Sequence, residues 1–349
     1  MNIENCRHNK KLRSHLEGRI IVHLMVKPFG KLLGNDFAEP LLKKGCHFLD
    51  AVYIPTLANR DALNTDINVL LKYAKEVVLL YSNALGRWDE NCKYNVRIKQ
   101  INEQISFCSD FRARAENQNI AVKWRPTFDI PLKRSYALYD ARQKLYKRIL
   151  LLDDDIYISE QNLQRSLLAL ASGYSIVGFH VVNYPDISTI DHIEQVVNMN
   201  NHVYSMTGSC MFLNLEQVIG DFLNVYNEDL FFFLTQPDPD KIVSGGTVSQ
   251  RTYVSWTSLE RVKHEQFGDL MYNAFKKRFL GIRKDSINWN EEIRDRIDRI
   301  KTLYGKTNEK DILDALNYAM SAMDEIKIQD IETFLKNSNL APWVSKYLD

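Results

Sequence analysis

The chain has 349 residues, 45% of them hydrophobic, and its 45 basic and 44 acidic side chains leave a formal net charge of +1. That is enough for a sizeable core, as two domains or as one large domain with an appendage. The near-neutral balance removes any global electrostatic case for a nucleic-acid or membrane-surface binder.

Cysteine usage and the N-terminus bear on location. The cysteines are Cys6, Cys46, Cys92, Cys108 and Cys210, an odd set with no CxxC pair and no zinc spacing, which reads as reduced thiols in a cytosolic protein. No apolar run approaches the ~18 residues of a bilayer-spanning helix. The opening "MNIENCRHNKKLRSHLEGR" is polar and lacks the apolar stretch of a secretion signal. A soluble, cytoplasmic protein is expected, with room for a peripheral place at a membrane through partners.

In chain order, residues 1–18 form a basic, polar arm. "RIIVHLMV" (19–26) predicts a strand, and "DAVYIPT" (50–56) another, closed by Pro55. Over 61–75, Leu63, Ile67, Leu70, Leu71 and Ala74 share one helical face. "EVVLLYS" (76–82) and "NIAVKW" (119–124) predict two more strands, 132–146 a helix, and "RILLLD" (148–153) a fully buried strand. "MTGSCMFLN" (206–214) joins a small flexible segment to an apolar strand, and Gly208 and Ser209 suit close approach of a ligand. "SGGTVSQRTY" (244–253) reads as a Gly-containing loop able to act as a flap; it lacks the GxxxxGK[ST] pattern of a phosphate-binding loop. From about residue 285 the texture changes to charged amphipathic helices over 290–305, 309–327 and 328–337. The expected organisation is the arm (1–18), an α/β domain (19–285) and a helical C-terminal appendage (286–349), the last able to pair subunits into a homo-oligomer.

Strands alternating with helices imply βαβ crossovers and a mostly parallel sheet flanked by helices. Ligands in such sheets sit outside the carboxyl ends of the strands. There the sequence "RILLLDDDIYIS" (148–159) places three adjacent aspartates, Asp153, Asp154 and Asp155. Their mutual repulsion is costly in low dielectric unless a cation compensates it. Mg or Mn favours such oxygen ligands and fills its remaining positions with phosphate and water. The plainer alternative is an acidic loop capping the helix that starts near Ser159, but a cap needs one acidic residue rather than three against a buried strand.

The strand and acidic triplet resemble the DxD signature of GT-A glycosyltransferases, specifically inverting, family-2-type nucleotide-sugar transferases. Other segments agree in the same order: "YIPTLANRD" (53–61), the basic helix "LKRSYALYDARQKLY" (132–146) and "YNEDLFFF" (226–233). The similarity runs over roughly residues 50–270. It implies a GT-A-type, Rossmann-like fold and a metal-dependent transfer of sugar from a nucleotide-diphosphate sugar to the hydroxyl of a saccharide or other acceptor. It further implies that Asp155, with Asp153, holds Mn or Mg, and that Asp153 and Asp154 contact the donor ribose. Thr56, Asn59 and Arg60 would lie beside the nucleotide base, and Arg134, with Lys133 as the alternative, near the donor phosphates. His264 is at a plausible chain distance to join the metal shell, although a lone histidine is more often an ordinary polar residue. Where related enzymes carry a base-binding aspartate after the second strand, this chain has Ser82 and Asn83, and Asn83 can hydrogen-bond a base edge.

For an inverting transfer, a general base must reach the acceptor hydroxyl. Asp229 is the expected base, with Glu228 binding acceptor or fixing the loop. The structural alternative is a helix N-terminus capped by Asn227, with both acids favouring the dipole; the two readings are compatible. His180 is a further acceptor-side candidate, and Trp124, Trp256 and Tyr184 are candidates for stacking on a sugar. A retaining transferase, a sugar-phosphate nucleotidyltransferase and a non-catalytic scaffold are the competing functions. The absence of glycine from "PTLANRD" counts against the nucleotidyltransferase.

Overall fold

Continuous apolar, β-branched runs build the centre of the molecule, since strands covered on both faces have no solvent side to alternate with. The computed structural model describes residues 27–28, 49–56, 63, 65–81, 96–101, 106–118, 120–126, 129–182, 188–198, 206–251, 255–279, 282 and 285–348. The N-terminal arm, the strand expected over 19–26, and Asn59, Arg60, Ser82, Asn83 and Tyr184 lie outside the described residues.

The strands are β1 (Lys27–Pro28), β2 (Leu49–Thr56), β3 (Ala74–Tyr81), β4 (Val96–Gln100), β5 (Arg148–Leu152), β6 (Ile156–Tyr157), β7 (Ile176–Val181), β8 (Thr207–Asn214) and β9 (Ile242–Gln250). They pair in the order β1-β9-β7-β8-β5-β2-β3-β4, with the short β6 added to β9. Pairing is parallel for β2 with β3 and β5, β3 with β4, and β9 with β1 and β7. Strand β8 runs antiparallel to both β5 and β7, and β6 antiparallel to β9. The fold is therefore α/β with a mostly parallel sheet, as expected.

The helices are α1 (Ile67–Leu71), α2 (Ser106–Asn117), α3 (Ile130–Gln143), α4 (Glu160–Ala171), α5 (Thr189–Asn198), α6 (Glu228–Thr235), α7 (Leu259–Phe279), α8 (Trp289–Tyr304), α9 (Lys310–Glu325), α10 (Ile328–Asn337) and α11 (Pro342–Leu348). Helix α3 lies against β2 and β5, and α4 against β7, β8 and β9.

Three sequence expectations are corrected. The helix expected over 61–75 spans only Ile67–Leu71, because Asp66 caps it, accepting from Asn68 N at 2.8 Å, and Ala74 already belongs to β3. Residues 119–124 are not a strand: Val122–Trp124 is a single 3-10 turn. Trp124 is fully buried there and stacks on Phe267 of α7, with centroids 5.7 Å apart and planes at 9°. The expected flap over 244–253 is mostly strand β9, held by β7 on one side and β1 on the other, with residues 252–253 outside the described set.

Two apolar cores result. The first wraps the sheet and includes Val52, Leu79, Leu151, Phe212 and Phe232. The second is helical and joins Ile193, Phe231, Phe267, Ile300, Leu316 and Phe334. Helix α6 serves both, giving Phe232 and Phe233 to the first and Leu230, Phe231 and Leu234 to the second. The C-terminal segment braces the far end of α6: Ala341 N donates to Leu234 O at 2.9 Å, and Trp343 Nε1 donates to Gln236 O at 2.7 Å. Helix α7 closes on the segment before α6 at Gly268, where a Cβ would lie 2.0 Å from the Tyr226 carbonyl oxygen. Helix α6 is thus held at both ends.

Candidate active site

Parallel strands bring their carboxyl ends to one edge, and β8, running the other way, starts at that same edge. Leu152 pairs with Cys210, and the next residue, Asp153, donates its N–H to Ser209 O at 2.8 Å. Thr56 closes β2 there, 3% exposed, and its carbonyl accepts from Lys133 Nζ at 2.9 Å. Lys133 is itself 1% exposed and paired with Asp129 at 2.9 Å, so this lysine anchors the end of β2.

The three aspartates are half-buried. They do not cap the following helix: Ser159 does, accepting from Asn162 N at 3.2 Å. Asp153 accepts two hydrogen bonds from Arg134 Nη2, at 2.9 Å and 2.7 Å. Asp155 is gripped by the end of β9: Gln250 Nε2 donates to its Oδ2 at 2.9 Å, and Arg251 N to its carbonyl at 3.0 Å. The two-residue β6 ladder, Ile156 opposite Gln250 and Tyr157 opposite Ser249, makes that grip possible.

Glu228 and Asp229 occupy the first turn of α6. The capping expected of Asn227 is corrected: its backbone is left-handed (φ 62°, ψ 37°), its side chain makes no cap hydrogen bond, and its Nδ2 is buried without a partner. Glu228 is buried and bonded to Arg134 Nη1. The Asp229 carboxylate is fixed by two backbone donors, Gly208 N at 2.6 Å on Oδ2 and Leu230 N at 2.8 Å on Oδ1. Backbone donors on two sides hold a carboxylate in one orientation without needing another charge.

Arg134 is the hub. It lies on α3, 4% exposed, between the aspartate triplet and the α6 acids. Burial pulls its pKa down, but the charges of Asp153, Glu228 and Asp229 outweigh that and hold it above its ordinary value. The neighbouring Cys210 thiol is pushed the other way, well above the thiol range, by burial and by Asp153, which leaves it inert as a nucleophile. Cys108 and Cys210 are both buried thiols.

Among the residues expected at the site, the structure brings together Thr56, Arg134, Asp153, Asp154, Asp155, Glu228 and Asp229 at one edge of the sheet. His264 stands on α7, one turn before Gly268, with Nδ1 buried and unpartnered. Among the described residues no three His, Cys, Asp or Glu side chains gather as a metal cradle, so Asp153, Asp155 and His264 are not preassembled as one. The physical reason is visible at Asp153, both of whose carboxylate oxygens accept from Arg134. Asp155 supplies hard oxygen of the kind Mg or Mn takes, and the rest of such a shell would come from phosphate and water. His180 is half-buried in β7, and Trp124 is a core residue rather than a sugar platform. Trp256 is half-buried against the helical core. Sequence reading missed Gln250, whose partner Asp155 lies 95 residues away, and took Lys133 as an alternative phosphate ligand, whereas its ammonium is held by Asp129 one turn before it and by the Thr56 carbonyl 77 residues away.

No protein-family model and no curated protein matches the chain. Among solved structures it is similar to 4-diphosphocytidyl-2C-methyl-D-erythritolsynthase from Anaerococcus prevotii DSM 20548, at 13% identity over 64% of this chain and 99% of that one, with a TM-score of 0.34. It is also similar to the apo form of mouse xyloside xylosyltransferase 1, at 11% identity over 55% of this chain and 72% of that one, with a TM-score of 0.30.

Proposed function

We propose that the chain is a metal-dependent glycosyltransferase, moving a sugar from a nucleotide-diphosphate sugar to an acceptor hydroxyl with inversion. The observation that carries this reading is the meeting of two carboxylate groups of different sequence origin, Asp153–Asp155 after β5 and Glu228–Asp229 on α6, at the carboxyl edge of one sheet. A displacement at an anomeric carbon needs these two functions side by side: charge compensation for the leaving diphosphate, and a base for the incoming hydroxyl.

In this reading Asp155 holds Mn or Mg, with Asp154 beside it at the donor. Bound there, the cation would offset the negative charge that builds on the diphosphate as the anomeric bond breaks. Thr56 borders the nucleotide, together with Asn59, Arg60 and Asn83. Asp229, oriented by Gly208 and Leu230, takes the acceptor proton. Among the described residues no helix is long and apolar enough to cross a membrane, so an acceptor would reach the site from water or from a membrane surface.

The test is incubation of the full chain with a panel of nucleotide-diphosphate sugars and Mn, followed by nucleoside-diphosphate detection and NMR of the sugar product. Release of nucleoside diphosphate and an inverted anomer are expected. Pyrophosphate release would point to nucleotidyl transfer instead, and a retained anomer would remove Asp229 as the base. The reading fails if every donor stays intact and none raises the melting temperature.

A further inference from the structure

Arg134 is buried to 4% exposure and its guanidinium is divided between two motifs. Nη2 serves both oxygens of Asp153, at 2.9 Å and 2.7 Å, and Nη1 serves Glu228. Between them runs the start of β8. A Cβ on Gly208 would fall 2.7 Å from Arg134 Nη1 and 2.7 Å from the Asp229 Cβ. No real Cβ tolerates such contacts, so the missing side chain at Gly208 is what lets the guanidinium and the α6 acids close up. The Gly208 N–H then completes the assembly by donating to Asp229 Oδ2 at 2.6 Å.

We propose that Arg134 is a positioning residue, a clamp that sets the start of α6 against the aspartate triplet, rather than a ligand of the donor phosphates, and that Gly208 is required for the clamp to close. Nη1 and Nη2 both bond protein carboxylates, the buried Nε has no hydrogen-bond partner among the described residues, and the guanidinium lies in the interior. The forked, planar guanidinium suits two carboxylates on opposite sides, a geometry that a lysine ammonium reproduces only in part. A second consequence concerns Glu228. Its carboxylate faces Arg134 from a buried position, so its part is to hold the first turn of α6, leaving Asp229 to face the acceptor. The proposal rests on the transferase reading for what the clamp serves, and on geometry alone for its existence.

The experiment compares wild type, Arg134→Gln, Arg134→Lys and Gly208→Ala in the full chain by hydrogen exchange, by titration with ADP, CDP, GDP and UDP in Mn, and by transfer kinetics. Arg134→Gln should speed exchange of the amides at 208–209 and 228–230 by about tenfold or more. It should leave nucleoside-diphosphate affinity within about threefold of wild type and lower kcat roughly 100-fold with donor KM little changed. Arg134→Lys should recover part of both losses. Gly208→Ala keeps every charge in place and should give the same pattern, which covers the case in which Arg134→Gln does not fold. A large loss of nucleoside-diphosphate affinity in Arg134→Gln, with exchange at 228–230 unchanged, would overturn the clamp and make Arg134 a donor ligand. Normal exchange in Gly208→Ala would also overturn it. If wild type binds none of the four nucleoside diphosphates, the transferase reading fails, and the exchange data still decide the clamp.

Discussion

The sheet half and the helical half of this molecule are built on different principles, and the candidate site lies where they meet. The sheet core is stitched by neighbouring strands whose apolar runs read continuously along the chain, such as Ile149–Leu152. The helical core is assembled from distant pieces: Trp124 stacks on Phe267, Phe267 meets Phe334 edge-on at 5.7 Å, and Phe334 meets Phe231 at 5.1 Å. Among the described residues a single helix, α6, belongs to both, and its first turn carries Glu228 and Asp229. Burying neighbouring faces of one helix in two separate cores fixes its axis more firmly than either core would alone. The C-terminal helices are in this respect part of the support of the site, although they stand far from the aspartate triplet in sequence.

The largest expected effect comes from the shared helix itself. Asp229→Asn preserves size but keeps only one of the two backbone contacts, because its amide NH2 cannot accept from Gly208 N or Leu230 N. It should lower turnover about 100- to 10,000-fold while donor binding persists; steady-state kinetics beside ligand titration check it. Unchanged turnover would move the base elsewhere.

Next come two truncations that separate the halves. Phe231→Ala and Phe232→Ala each remove a fully buried ring, and each should cost about 3–5 kcal/mol in denaturant unfolding. They should differ in where protection is lost. Phe231→Ala should loosen α9 and α10 while the sheet stays protected. Phe232→Ala, whose ring stacks on Phe222 at 4.3 Å, should loosen the sheet side. Identical exchange maps for the two would mean one cooperative core.

The smallest effect is the pH dependence carried by one ion-pair cluster in the sheet half. Arg97 bridges Glu76 and Asp140, with Arg97 Nη2 2.6 Å from Asp140, and Tyr53 donates to Asp140 at 2.7 Å. Burial works to raise the pKa of both acids, but their hydrogen bonds, led by Arg97, prevail and hold them below their ordinary values of 4.5 and 3.8. Their contribution is therefore complete above those ordinary values and is lost as pH falls through the lower folded ones. Because Arg97 is partly solvated, about 1–2 kcal/mol should disappear on acidification, and Arg97→Met should flatten that limb. An unaltered acid limb in Arg97→Met would contradict it.

How much of this was legible in the sequence follows from the range of the forces. Strands β2, β3, β5 and β8, helices α3 and α4, and the C-terminal helices announce themselves through local periodicity. The edge strand β4, "VRIKQ", does not, because three of its five side chains are polar and Arg97 ties it in by reaching Glu76 and Asp140. The turn at Val122–Trp124 looked like a strand, whereas Ile120 and Trp124 answer to the helical core rather than to a sheet. At the site, the carboxylates were visible as motifs, whereas what ties them together was not: Arg134 meets Glu228 across 94 residues and Asp153 across 19, and no periodicity encodes that. Gly208 was noticed as small, but its use, making room for a guanidinium and for the α6 acids, is a matter of three-dimensional fit.

The central claim is that the carboxylates after β5 bind a divalent cation together with a diphosphate. Titration calorimetry of nucleoside diphosphates into wild type and Asp155→Ala, with and without Mn, tests it directly. The account predicts binding that requires Mn in wild type and weakens by at least about tenfold in a folded Asp155→Ala protein. Equal Mn-dependent binding by both proteins would contradict it.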